Sequence, residues 1–244
     1  MLFDLHAHSG EISKCCRIPA CEVLRRAREV RLDGIVLTNH YQKSYVPDGD
    51  YAAFAAGYVS AFEQARYLGE EMGVRVFFGV EVTMEKYAYV HLLIYGVTTD
   101  FLLDHPTLFD ETQEGLYRLV QAAGGIVVQA HPYRHGEYLL DTKYLDGVEI
   151  SCHPLYKSGT QLYRLADIAA EQRLILTCGG DYHADTYRPC CGVYLPDDIN
   201  DSVALGQYLK KTEKIRLLVQ EVDGSPAHAV TFSRGGGLEE EEER

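Results

Sequence analysis

Apolar runs of strand length alternate with amphipathic stretches of helix length along almost the whole chain, and this rhythm constrains the fold more than any other feature. Residues 2–5, 34–37, 74–82, 90–95, 126–130, 147–150, 174–178 and 215–222 read as strands. Residues 20–30, 51–72, 116–123, 161–172 and 203–211 read as helices, the second closed by Gly73 as its C-cap. Strands this apolar are buried on both faces, so the alternation predicts a mostly parallel α/β architecture with helices covering the sheet. Neither an internal repeat nor a Ser- or Pro-rich linker interrupts it, and a single domain over residues 1–234 is expected. Gly235-Gly236-Gly237 and the glutamates that follow read as a flexible acidic tail over residues 235–244.

Charge narrows the partners. Asp plus Glu number 36 against 23 Lys plus Arg, a formal net charge of −13 that the terminal glutamates only partly explain. An acidic body repels a polyphosphate backbone, so stable nucleic-acid binding is not expected. Bound cations would reverse that sign locally, which keeps small phosphorylated substrates open. The chain begins without a basic, apolar leader and contains no run of 18 apolar residues, so neither a secretory precursor nor a membrane span is expected. Seven cysteines, with two vicinal pairs and no CxxC, form neither a disulfide framework nor a structural zinc signature. Reduced thiols in a cytoplasmic protein are the expectation.

The chemistry sits where the apolar runs stop. His6 and His8 follow the first run, and their i, i+2 spacing puts both imidazoles on one side of an extended chain. His40 follows the second run, Glu81 lies near the end of the third, His91 stands in the fourth, His131 closes the fifth, and Asp181 and His183 follow the seventh. In a parallel β/α barrel the strand C-termini converge on one face, which would bring these residues into one pocket. Six imidazoles and two carboxylates form a mixed nitrogen and oxygen ligand set for zinc, iron or manganese. Eight ligands exceed the needs of one tetrahedral ion, so two or three divalent metals are expected, with Glu81 able to bridge. There is no GxSxG elbow and no GxxxxGK[ST] loop to offer another catalytic apparatus.

The ordered set Asp4-Leu5-His6-Ala7-His8-Ser9, Thr38-Asn39-His40, Gly79-Val80-Glu81, His91-Leu92-Leu93-Ile94-Tyr95-Gly96, Ala130-His131-Pro132 and Gly180-Asp181-Tyr182-His183 resembles the PHP (polymerase and histidinol phosphatase) family of metal-dependent phosphoesterases. The resemblance spans roughly residues 1 to 220. It implies a distorted seven-stranded (β/α)7 barrel, TIM-barrel-like. It further implies that His6, His8, Glu81 and Asp181 hold a first metal and that Glu81 bridges to a second held by His91 and His131. His40 and His183 would hold a third. Three departures stand out. Asn39 replaces the usual aspartate of the Thr-Asp-His element. Glu11 is the nearest residue for the extra third-site ligand, with Ser13 farther on. Cys152 and His153 stand where small polar residues are usual.

Arg134 follows His131-Pro132-Tyr133 and is the first choice for a phosphate clamp, with Arg17 and Arg188 as further substrate-binding candidates. Tyr41, Tyr133 and Tyr182 adjoin ligands and are candidates to line the pocket. The expected reaction is phosphoester hydrolysis of a small substrate, such as histidinol phosphate or a nucleotide, by a hydroxide bridging two metals, with Glu81, Asp181 and Arg134 as the catalytic residues. The alternatives are a metal-dependent C–N hydrolase, a protein-tyrosine phosphatase of the same family, and a noncatalytic metal-binding module.

Overall fold

The computed structural model describes residues 1–88, 90–134, 138–154, 158–184, 190–220 and 226–240. Local sequence explains most of its elements. β1 (Leu2–Ala7) and β2 (Gly34–Leu37) are buried along their whole length, and α1 (Ala20–Glu29) lies between them with Val23, Leu24 and Ala27 inward. A two-residue β3 (His40–Tyr41) precedes α2 (Tyr51–Met72), which buries Ala55, Tyr58, Phe62, Ala65 and Gly69 at alternating spacings of three and four. The Asp50 carboxylate accepts from the Ala53 amide to cap α2, and the helix ends at Gly73 as expected.

The single strand expected over 74–82 is two strands, β4 (Arg75–Phe78) and β5 (Val80–Met84). The chain changes sheets at Gly79, where a Cβ would stand 2.7 Å from Val36 Cγ1, so the close approach there needs glycine. β6 (Val90–Tyr95), α3 (Thr99–Asp104), α4 (Gln113–Ala122), β7 (Ile126–Gln129), β8 (Gly147–Ser151), α5 (Ser158–Glu171) and β9 (Ile175–Gly179) follow. The chain closes with β10 (Gly192–Tyr194), α6 (Ser202–Lys211), β11 (Lys214–Val219), β12 (His228–Ser233) and β13 (Gly237–Glu240).

Two sheets hold these strands. The seven-stranded sheet runs β13-β12-β11-β10-β1-β2-β4 and the six-stranded sheet β3-β5-β6-β7-β8-β9. They adjoin at Gly79, where β2–β4 pairing gives way to β3–β5 pairing, and again where Ala7 bridges Tyr182 beyond β9. The expected barrel is therefore open rather than closed: the α/β class holds, but the strands do not form one continuous ring. Nor is the pairing mostly parallel. β5-β6-β7 pair antiparallel, as do β1 with β10 and the ribbon β10-β11-β12-β13. Connections too short for a crossover, such as the few residues from β5 to β6, allow only antiparallel neighbours.

The acidic end also departs from expectation. Gly237–Glu240 pairs with β12, Phe232 opposite Leu238, so these residues extend the sheet instead of lying outside it. Leu238 packs partly buried against the core, which gives the strand its register. Residues 241–244 lie outside the described residues. No helix among the described residues is long and apolar enough to cross a membrane.

Candidate metal centre

The strand ends converge as the sequence implies. β1 delivers His6 and, just past its end, His8; β3 delivers His40, β5 Glu81 and β6 His91. His131 follows β7, and Asp181 and His183 follow β9. The imidazoles pack edge to face and face to face: His8 lies 4.0 Å from His183 and 4.6 Å from His40 between ring centroids, and His91 lies 5.2 Å from His131. All eight expected ligands meet in one cage, with side chains buried or nearly so.

Glu81 is the hub. Its two carboxylate oxygens lie 2.6 Å from His40 Nδ1, 3.0 Å from His91 Nδ1, 3.2 Å from His131 Nε2, 3.3 Å from His6 Nε2 and 3.4 Å from His8 Nε2. Asp181 Oδ1 lies 3.1 Å from His183 Nδ1, 3.3 Å from His8 Nε2 and 3.5 Å from His6 Nε2. Ligand atoms fall within 4.8 Å of one another in four groups: His6–His8–Asp181, His6–Glu81–His131, His40–Glu81–His91 and His8–His40–His183.

The surrounding hydrogen bonds aim these atoms. Both oxygens of Glu149, on β8, accept His6 Nδ1 at 2.9 and 3.0 Å, and one of them also accepts the His131 amide at 3.2 Å. Ser13 Oγ holds His8 Nδ1 at 3.0 Å, accepts the His40 amide and donates to Asn39 Oδ1 at 2.9 Å. Pinning Nδ1 in this way turns the Nε2 of His6 and of His8 inward, as carboxylate and hydroxyl partners do for metal-bound histidines. Asn39 also accepts the Ser9 amide and donates to Ser9 Oγ, so it organises the loop and touches no ligand group. The buried Asp4 carboxyl accepts the amides of His6 and Gly180 at 2.9 Å each, tying β1 to the loop after β9. At Gly179 a Cβ would stand 2.4 Å from His6 Cβ and 2.8 Å from Glu149 Oε1, so only glycine lets β9 approach the cage.

Whether the residues suit metal ions is testable on their unsatisfied atoms. His6 Nε2, His8 Nε2, His40 Nδ1, His91 Nδ1 and Glu81 Oε2 are buried and make no hydrogen bond within the described structure, even though they crowd together. Buried polar atoms without partners are costly, and five pointing at one space match the lone-pair array a cation needs. The electrostatics agree. Burial opposes charge on His6, but Glu149, Glu81 and Asp181 outweigh it and push its pKa well above the usual imidazole range. His183 is pushed up to about 10 by Asp181 and His40 to about 9 chiefly by Glu81, both against burial. Glu81 and Asp181, though buried, are held well below the carboxylate range by the surrounding imidazoles. His8 and His91 go the other way, lowered by burial and by neighbouring imidazoles. The donor set fits borderline divalent cations.

Two of the expected ligands sit in strained backbone, His131 at φ 32° and Asp181 at φ 47°. Positive φ at a bulky residue persists only where the surroundings impose it, as functional sites do.

The remaining candidates divide. The Arg134 guanidinium, 21% exposed, donates to Asp181 Oδ2 at 2.7 Å and so stands at the cage rim. The Arg17 amide donates to the His183 carbonyl, and its side chain is exposed. Arg188 lies outside the described residues. Glu11 is not part of the cage: its carboxylate accepts the Ala20 amide at 3.0 and 3.2 Å, capping α1, because that helix starts behind Pro19 without a side-chain cap of its own. His153 stands 6.5 Å from the His183 ring and outside the ligand groups, with burial lowering it to about 4. Of the tyrosines, Tyr41 donates to the Pro106 carbonyl in the core, and Tyr133 carries the Arg164 guanidinium over its ring at 3.6 Å. Tyr182 is buried and packs near α1 through Arg26.

Sequence reasoning missed Glu149, although it carried a legible signal, a lone acid in the apolar run Val148-Glu149-Ile150. Cys15 lies in the rim loop after His8, where the sequence reads as loop packing. Its thiol rests against His183 and His40, which overcome partial burial and hold it down to about 6.

No family model matches the sequence, and no curated protein matches it either. Solved structures do match, at the level of the fold. A protein from Bifidobacterium adolescentis assigned as a metal-dependent phosphoesterase superimposes with a TM-score of 0.54 at 19% identity, over 85% of this chain and 95% of that one. A two-domain protein from Bacteroides vulgatus containing an inferred PHP-like metal-dependent phosphoesterase superimposes with a TM-score of 0.58 at 14% identity, over 89% of this chain and 58% of the larger one. An amidohydrolase from Chromobacterium violaceum, solved with bound sulfate and no metal, gives 0.55 at 17% identity, over 81% and 93%. The chain has the fold of PHP-like structures, which accords with the resemblance its motifs carry.

Proposed function

We propose that this chain is a metal-dependent phosphoesterase of the PHP type that hydrolyses a small phosphorylated substrate. The observation that carries the reading is the buried cage, in which Glu81 faces five imidazole nitrogens and five ligand atoms lack hydrogen bonds. His6, His8, Glu81 and Asp181 would hold one ion, His91 and His131 would share Glu81 with a second, and His40 and His183 would hold a third beside Cys15. Divalent cations bound there would activate water at neutral pH and neutralise charge on the phosphoryl oxygens.

The chain's own work is orientation. Glu149 and Ser13 fix the tautomers of His6 and His8, and Asp4 holds the backbone from which His6 projects. Arg134 keeps its charge in any environment and, held at the rim by Asp181, would align a phosphoryl group by bidentate contact. Arg17 is a second rim cation beside His183. The names of two structural neighbours and the position of Arg134 favour phosphorus over carbon as the centre attacked. The amidohydrolase likeness supports a C–N hydrolase as the second reading, since the same cage serves an amide. Seven free thiols accord with a reducing compartment such as the cytoplasm.

Elemental analysis of the purified protein, followed by a panel of phosphomonoesters, phosphodiesters and cyclic amides with and without chelator, tests the reading. Chelator-sensitive phosphoester turnover supports it. Undiminished turnover after verified metal removal ends it, and hydrolysis confined to amides transfers it to the second reading.

A further inference from the structure

A second cluster of metal-type ligands lies outside the cage. Cys152 follows β8, Cys178 belongs to β9 and Cys191 precedes β10, and all three are buried. Their sulfurs lie within 4.8 Å of one another, Cys152 and Cys178 at 3.6 Å. The cluster faces away from the histidines. Gly179 is the β9 residue that meets His6, so strand alternation sends Cys178 to the opposite face, where its thiol donates to the Leu218 carbonyl on β11 at 3.5 Å. The three sulfurs thus sit on the seam between the six-stranded sheet, through β8 and β9, and the seven-stranded sheet, through β10 and β11.

Without a cation the three thiols cannot all ionise: Cys152 is held well below the usual thiol range by its neighbours, while the adjoining sulfurs and burial push Cys178 and Cys191 well above it. Around one zinc-sized ion, sulfurs at about 2.3 Å from the metal stand roughly 4 Å apart, and here one pair stands 3.6 Å apart and all three lie within 4.8 Å of one another. Thiolate ligands select soft or borderline d10 cations more strongly than an imidazole and carboxylate cage does.

We propose that Cys152, Cys178 and Cys191 form a separate three-sulfur site for one thiophilic d10 cation, zinc or cuprous copper, that clips the two sheets together. Each thiol releases its proton to solvent as its sulfur–metal bond forms, and no electron is transferred. The site is independent of the phosphoesterase reading.

Cadmium is the probe. Reduced wild-type protein titrated with cadmium should take up one ion per chain with an ultraviolet thiolate-to-cadmium charge-transfer band and a sulfur-ligated cadmium NMR resonance, distinct from any ion in the histidine cage. X-ray absorption should count three sulfurs around that ion, which separates it from an ion touching Cys15 alone. Cys191→Ser should weaken this binding by more than about 100-fold, beyond what loss of an outer partner produces, whereas Cys190→Ser should leave it intact. Should Cys191→Ser fail to fold, the wild-type spectra decide by themselves. Absence of a three-sulfur cadmium species overturns the proposal, as does a Cys152–Cys178 disulfide recovered from the protein as isolated.

Discussion

The two sheets contribute unequally to the cage. The six-stranded sheet supplies Glu81 and His91 from within its strands, His40 from its edge, His131, Asp181 and His183 from beyond its strand ends, and the supporting Glu149. Among the described residues, the seven-stranded sheet supplies only His6 from β1 and His8 just past its end, while its ribbon β10–β13 gives no group to the histidine cage. The cage is therefore a product of the seam, where β1 lies against β9, and the ribbon serves to cover and brace it. Function and stability should separate along that division.

The sharpest test is Glu81→Gln. The substitution keeps volume but removes the charge that five imidazoles share, so activity should fall by about 1,000-fold or more, with loss of bound metal by elemental analysis. Arg134→Ala should cost less, about 10- to 100-fold, because it removes one rim cation and leaves the ligands in place. Equal losses would show that Glu81 is not shared between ions.

Glu149→Gln comes next. Glu149 lies outside the ligand groups but holds His6 Nδ1 with its carboxylate, so the substitution loosens the His6 tautomer, and metal affinity should fall by about 10- to 100-fold. A calorimetric titration that finds wild-type affinity would reduce Glu149 to packing.

Asp4 gives the pH dependence. Burial, only partly offset by the amides of His6 and Gly180, raises its pKa to about 7, against about 3.9 in an unfolded chain. The folded state therefore prefers the neutral acid, so this contribution to stability is complete below about pH 4 and is lost as pH rises through about 7, at up to about 1.4 kcal/mol per pH unit. Asp4→Asn keeps an oxygen acceptor for both amides and should flatten that slope in denaturation of the metal-free protein. A slope unchanged in the variant would place the titration elsewhere.

The smallest effect belongs to the ribbon. Leu238→Ala should cost about 1 kcal/mol or less in denaturant unfolding, since the side chain is only partly buried, and turnover should stay within about twofold of wild type. A large loss of activity would break the division between seam and ribbon.

The alternation of apolar runs and helical stretches was enough to place β1, β2, β6, α2 and most of β7–β9, because buried strands and one-sided helices must carry those patterns wherever they end up. Spacing likewise marked His6, His8, His40, Glu81, His91, His131, Asp181 and His183, since polar residues at strand ends interrupt apolar runs visibly. Pairing direction and closure were decided elsewhere. Whether β5 and β6 run antiparallel, whether the ring closes, and whether Leu238 finds β12 depend on neighbours distant in sequence, and no local propensity records them. The same holds for single side chains. Glu11 and Cys15 lie four residues apart in one loop, and only the turn of that loop sends the carboxylate to cap α1 and the thiol against His40 and His183. Sequence alone marked the candidate ligands because their chemistry is intrinsic. The tertiary structure decided which atoms face one another, because contact is a property of the folded chain.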